Sequence, residues 1–97
     1  MIKLGLLITL EAKPDKEAAL EFFLKSALPL AQNEPDTVTW YAFKINSNTF
    51  GIFDTFNSEQ GRQAHLSGPV AQALIARANE LLTKPPLIQN IDIPAYK

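Results

Sequence analysis

The chain has 97 residues, 46% of them hydrophobic and 20% charged, with a formal net charge of -1 and no cysteine. That length gives one domain, and the composition excludes both a disordered chain and a membrane span, which needs about 20 apolar residues in a row. The 9 basic and 10 acidic residues are interspersed, which argues against a nucleic-acid partner, since phosphate binding rests on concentrated positive charge. Without cysteine there are no disulfides, thiolate nucleophiles or Cys-held metals, a pattern that suits a reducing, cytoplasmic setting.

Leu4 to Glu11 is apolar at nearly every position, as a central strand covered on both faces would be. A single Lys ahead of it and Glu11-Ala12-Lys13 behind it are poor flanks for a signal peptide, so a strand is expected. Pro14 breaks that strand and Asp15 is the expected N-cap of a helix. Leu20, Phe23, Leu24, Ala27, Leu28 and Ala31 then recur at the spacing of one helical face. Pro29 lacks an amide donor and crowds the Lys25 carbonyl, so the helix is expected to kink or end there.

Thr37 to Asn46 is rich in β-branched and aromatic residues, with Val38, Trp40 and Ala42 on one face and Tyr41, Phe43 and Ile45 on the other. The polar Asn46-Ser47-Asn48 joins it to Thr49–Phe56 as a hairpin, and Gly51 marks a bulge or a close backbone approach. Asn57 or Ser58 caps a helical region reaching about Thr83, with Glu59 where the helix dipole favours negative charge. Gly68-Pro69 divides that region in two. Val70, Leu74, Ala78 and Leu81, with Ala71, Ile75 and Leu82 beside them, form the face expected to pack on the sheet. Lys84-Pro85-Pro86 ends the helix, and the alternating residues Leu87 to Ile93 give the last strand.

The order βαββαβ predicts an α+β, ferredoxin-like domain over residues 1–97, an antiparallel sheet with its helices on one face. The strands are apolar on both sides while the chain covers only one sheet face. A homodimer formed through the bare face is therefore expected.

His65 is the only histidine and the only side chain that ordinarily titrates near neutrality. It precedes the Gly68-Pro69 break, which leaves its orientation open between a cavity and the surface. Arg62 lies one turn earlier and is suited to an anionic or phenolate oxygen. Asp54 stands between Phe53 and Phe56 in an apolar strand, where a buried carboxylate needs a partner that Arg62 or His65 would supply. Each also has a plainer structural role open to it, as a hydrogen-bonded core histidine or an ion pair. Trp40, Phe43, Phe53 and Phe56 are candidate walls of an aromatic-ligand pocket, although aromatic stripes are first of all core. No phosphate loop, nucleophile elbow, histidine pair or dinucleotide fingerprint is present, so no metal or cofactor is expected.

The segments Glu34-Pro35-Asp36-Thr37-Val38-Thr39-Trp40-Tyr41, Phe50-Gly51-Ile52-Phe53-Asp54-Thr55-Phe56-Asn57-Ser58-Glu59 and Ala64-His65-Leu66-Ser67-Gly68-Pro69 together resemble the antibiotic-biosynthesis-monooxygenase domain. The resemblance runs in order over nearly the whole chain and implies a dimeric α/β barrel. It further implies a cofactor-independent monooxygenase acting on a phenolic or hydroquinone-type aromatic, with His65 as acid/base, Arg62 at the phenolate, Asp54 orienting one of them and the aromatics as walls. The family also contains haem-degrading enzymes. Here Leu6, Leu7 and Ile8 stand in the first-strand region where that branch carries an Asn, and Phe56 stands where it carries a Trp, so haem breakdown is not expected. The alternative from another class is a non-catalytic dimer that binds a small aromatic molecule or supports another protein.

Overall fold

The structure, a computed structural model, describes every residue from Met1 to Lys97. In chain order the elements are β1 (Leu4–Glu11), α1 (Glu17–Gln32), β2 (Thr37–Lys44), β3 (Thr49–Phe56), α2 (Glu59–Leu66), α3 (Pro69–Leu81) and β4 (Leu87–Asp92). The strands form one sheet in the order β2-β3-β1-β4, and every neighbouring pair is antiparallel. This is the expected ferredoxin-like arrangement, with Gly68-Pro69 separating the last two helices as Pro at the start of a helix does. No helix is long and apolar enough to cross a membrane.

Alternation along the strands decides what each sheet face carries. Leu6 faces Asp54, Ile8 faces Ile52 and Leu10 faces Phe50 across the β1–β3 ladder, so these residues share the side covered by helices. Leu20, Phe23 and Leu24 of α1 and Leu74 and Leu81 of α3 close over them as one buried cluster. Each such side chain contributes roughly 1.5–3 kcal/mol by leaving water, which makes this layer the main source of stability. On the opposite face lie Leu7, Phe53 and Tyr41, one from each of three neighbouring strands, and Tyr41 remains 58% exposed. Gly51 serves a close approach on that face: a Cβ there would fall 2.3 Å from Cζ of Phe43, whose ring lies over the glycine.

Several local expectations are corrected. Asp15 does not cap α1; it adopts φ 68° in the preceding turn and Lys16 holds the cap position without a side-chain bond. Asp and Asn tolerate the left-handed region better than other non-glycine residues, so the same residue serves the turn. α1 continues through Pro29 to Gln32, because Ala27 and Ala31 on either side of it pack into the core while the proline itself faces out. Val38 falls in a register irregularity between Thr37 and Thr39 and is exposed instead of sharing the Trp40 face. Ile75 is 72% exposed and Leu28 42% exposed, so the apolar stripes of α3 and α1 are narrower than the sequence pattern suggests. β2 ends at Lys44 and β4 at Asp92, slightly short of the sequence expectation.

Candidate functional site

α2 brings the polar centre together. Ser58 caps this helix, accepting a hydrogen bond from the Gly61 amide at 3.1 Å, and the capped turn fixes the helical phase so that Gly61, Arg62 and His65 face inward. Gly61 allows the helix to lie close against Asp36 in the turn between α1 and β2. That turn carries Glu34, and β3 presents Asp54 from below. His65 therefore lies between two carboxylates: Nδ1 is 2.5 Å from Glu34 Oε1, and Nε2 is 2.7 Å from Asp54 Oδ2.

The centre is buried. Asp54 is 0% exposed and His65 3%, and the Phe56 ring lies against the imidazole with centroids 5.5 Å apart. Glu34 Oε1 also accepts from the Thr37 hydroxyl at 2.9 Å, which fixes the carboxylate that receives the Nδ1 proton. The Asp54 contact is close but oblique, and neither of its oxygens has a well-aligned donor. Burial raises the Asp54 carboxyl above its ordinary range, and the close approach and charge of His65 only partly offset it. Burial alone would lower His65, but its bonds and charge interactions with Asp54 and Glu34 outweigh that and raise it above the ordinary imidazole value. Both groups therefore give up their protons at a higher pH than they would in water.

Arg62 does not join this cluster. Its Nη1 donates to the carbonyls of Gly5 at 3.3 Å and Ile91 at 3.4 Å, and Nη2 meets Glu59 Oε2 at 2.6 Å. The guanidinium thus ties α2 to β1 and β4, and His65 supplies the partner that Asp54 requires. The expected aromatic wall is divided as well. Phe56 is fully buried and both Phe53 and the Phe43 ring point to the opposite sheet face, while Trp40 borders a cavity of about 500 Å³ between α1 and β2, open at the β2 edge of the sheet. His65 lines a separate groove of about 170 Å³ with Glu34, Asp36 and Pro69. Trp40 stands between the two regions: it borders the cavity and is the cross-strand neighbour of Asp54. Its indole Nε1 is buried with no acceptor.

Glu34 is the residue that sequence reasoning missed as part of the site. It lies 31 positions from His65 and appeared only as half of a Glu-Pro turn. An acidic residue in the loop that precedes a hairpin strand was its sole signal, and nothing in the spacing pointed it at the histidine.

The βαββαβ sheet with its helices on one face has the fold of proteins described as putative antibiotic biosynthesis monooxygenases. A protein of Caulobacter crescentus described as a "putative antibiotic biosynthesis monooxygenase" matches it with TM-score 0.81 at 20% identity, over 97% of this chain and 92% of that one. A second protein so described, from Nitrosomonas europaea, gives TM-score 0.85 at 11% identity over 95% and 99% of the two chains. Much nearer in sequence is the NE2512 protein of Nitrosomonas europaea, of unknown function, with 54% identity and TM-score 0.99 over 100% of this chain and 94% of that one, and the chain belongs to its family. No protein-family model and no curated protein matches the chain.

Proposed function

We propose that this protein is a cofactor-independent monooxygenase of an electron-rich phenol or hydroquinone that binds in the α1–β2 cavity. The observation that carries the reading is the buried Asp54–His65–Glu34 chain, one cross-strand step from the cavity wall at Trp40. Such a substrate needs no bound cofactor: its anion supplies the electrons, and a hydroquinone plus dioxygen gives a hydroxyquinone plus water. The protein's part is to remove the hydroxyl proton, hold the anion and exclude water.

Both ring nitrogens of His65 are engaged, Nε2 by Asp54 Oδ2, so the proton passes first to Asp54 Oδ1, which has no donor. As Asp54 passes that proton to His65 Nε2, His65 releases its Nδ1 proton to Glu34, which opens onto the second groove. Trp40 Nε1, buried without an acceptor, is the neutral donor available at the cavity wall for the substrate oxygen. A homodimer formed through the bare sheet face, where Phe53 and Tyr41 lie, completes the assembly in this reading; mass-sensitive light scattering should give about twice the chain mass, and a single-chain mass at micromolar concentration overturns it.

The second reading is a non-catalytic binder of a small aromatic molecule, favoured by the complete burial of Asp54, which does not itself line the cavity. Oxygen uptake separates the two. With a panel of hydroquinones the oxygenase consumes one dioxygen per substrate and places one labelled atom in the product. Asp54→Asn, which keeps size and loses the base, lowers turnover per folded molecule by roughly a hundredfold, the usual scale for a positioned base. Binding without oxygen uptake across the panel assigns the protein to the second class.

A further inference from the structure

The rim of the α1–β2 cavity carries charge that proton removal does not use. Glu21 and Lys25 lie one turn apart on α1, and Lys44 ends β2 opposite them. Lys25 Nζ is 3.2 Å from Glu21 Oε2, and Lys44 Nζ is 3.7 Å from Glu21 Oε1. The two ammonium groups share one carboxylate, which leaves the rim with a surplus of positive charge, and no other charged side chain lines the cavity. Lys44 is also held inward, its Nζ 5.4 Å from the centroid of the Phe50 ring on the floor. Beneath the rim the lining is apolar, with Leu24, Leu28 and Phe50. The volume of about 500 Å³ falls within the roughly 300–1,000 Å³ typical of small-molecule sites.

We infer that the ligand of this cavity is an aromatic acid: an aromatic body on the apolar floor, a carboxylate between Lys25 and Lys44, and its hydroxyl at the Trp40 end. This rests on the reading of the cavity as the substrate site and adds the substrate's second functional group. Lysine heads on flexible stems form a point-charge site that reorients without disturbing the fold. The incoming carboxylate takes over the two ammonium groups from Glu21, which moves out into solvent, where it is already 43% exposed.

The chain has one tryptophan, and it borders the cavity, so Trp40 fluorescence reports occupancy. The probes are a hydroxynaphthoic acid and its carboxamide, titrated under anaerobic conditions by calorimetry with Trp40 quenching in parallel. The acid should bind about fivefold more tightly than the amide, the scale of two partly exposed charge pairs, and raised salt should narrow the gap. Lys25→Ala with Lys44→Ala should abolish the preference, and Glu21→Gln should widen it. Equal binding of acid and amide, a preference that survives the double lysine variant, or binding without Trp40 quenching each overturns the inference. Oxygen uptake is a separate readout: selective binding of the acid with no turnover of any phenol sinks the oxygenase reading alone, whereas equal affinity for acid and amide with turnover sinks this one alone.

Discussion

On the helix side of the sheet, the Asp54–His65–Glu34 cluster and the Glu21–Lys25–Lys44 cluster each place one side chain between two of opposite kind. They differ in their access to water. Asp54 and His65 are shut beneath α2, while Lys25 keeps 74% of its side chain exposed and Lys44 50%. At about 4 Å a charge pair is worth about 1 kcal/mol in water and about 4 kcal/mol at the effective dielectric of a protein surface, and a buried group left unpaired costs more still. The inner cluster is therefore tied to the stability of the fold. The outer one exchanges partners at little cost, which is what recognition of a ligand requires. The Glu21 carboxyl shows the same contrast from the other side: hydrogen bonding and attraction from Lys25, with Lys44 adding to it, lower its pKa while water remains in contact.

The comparison is broken most severely by His65→Ala, which leaves Asp54 buried without its partner. It should lose roughly 3–5 kcal/mol, the usual cost of removing one member of a buried pair, read as a drop in the urea midpoint with an unchanged slope. Loss of catalysis must accordingly be measured per folded molecule. Asp54→Asn combined with His65→Ala should cost clearly less than the sum of the single changes, because the two residues share one interaction; strict additivity would show that they do not act as a unit.

Acidity sharpens the contrast. His65 and Asp54 both have folded pKa values above their ordinary ones, so the folded state holds more protons than the unfolded one. The stabilisation is then complete below the ordinary value of each group and is lost as pH rises through its raised value. For His65 the stability should decline on going upward from the ordinary 6.5. Urea titrations across that window should show the decline in the wild type, and His65→Ala should flatten it. A rise in stability with pH there contradicts the assigned direction.

The smallest effect belongs to the outer cluster. Glu21→Gln and Lys25→Ala should leave the urea midpoint and its pH dependence unchanged within error, since the exposed pair they remove is screened by solvent. A marked loss of stability in either variant would show that the rim is part of the folding framework and erase the distinction between the two clusters.

Local chemistry along the chain was enough to set the order of elements, because each has its own period and punctuation. The near-continuous apolar run Leu4–Glu11 is a strand whatever surrounds it, the helix on Leu20, Phe23, Leu24 and Ala27 follows from spacing, and Pro69 ends one helix and opens the next by its geometry alone. Tertiary packing decided the points where local rules compete. It carried α1 through Pro29, gave Asp15 to the turn, and lifted Leu28 and Ile75 out of the core. The site was legible as residue types, with His65 and Asp54 recognisable as groups in need of partners. Their pairing, the addition of Glu34 from 31 positions away and the diversion of Arg62 to the Gly5 and Ile91 carbonyls were not, because a hydrogen bond depends on angle and distance across separate elements, and sequence spacing encodes neither.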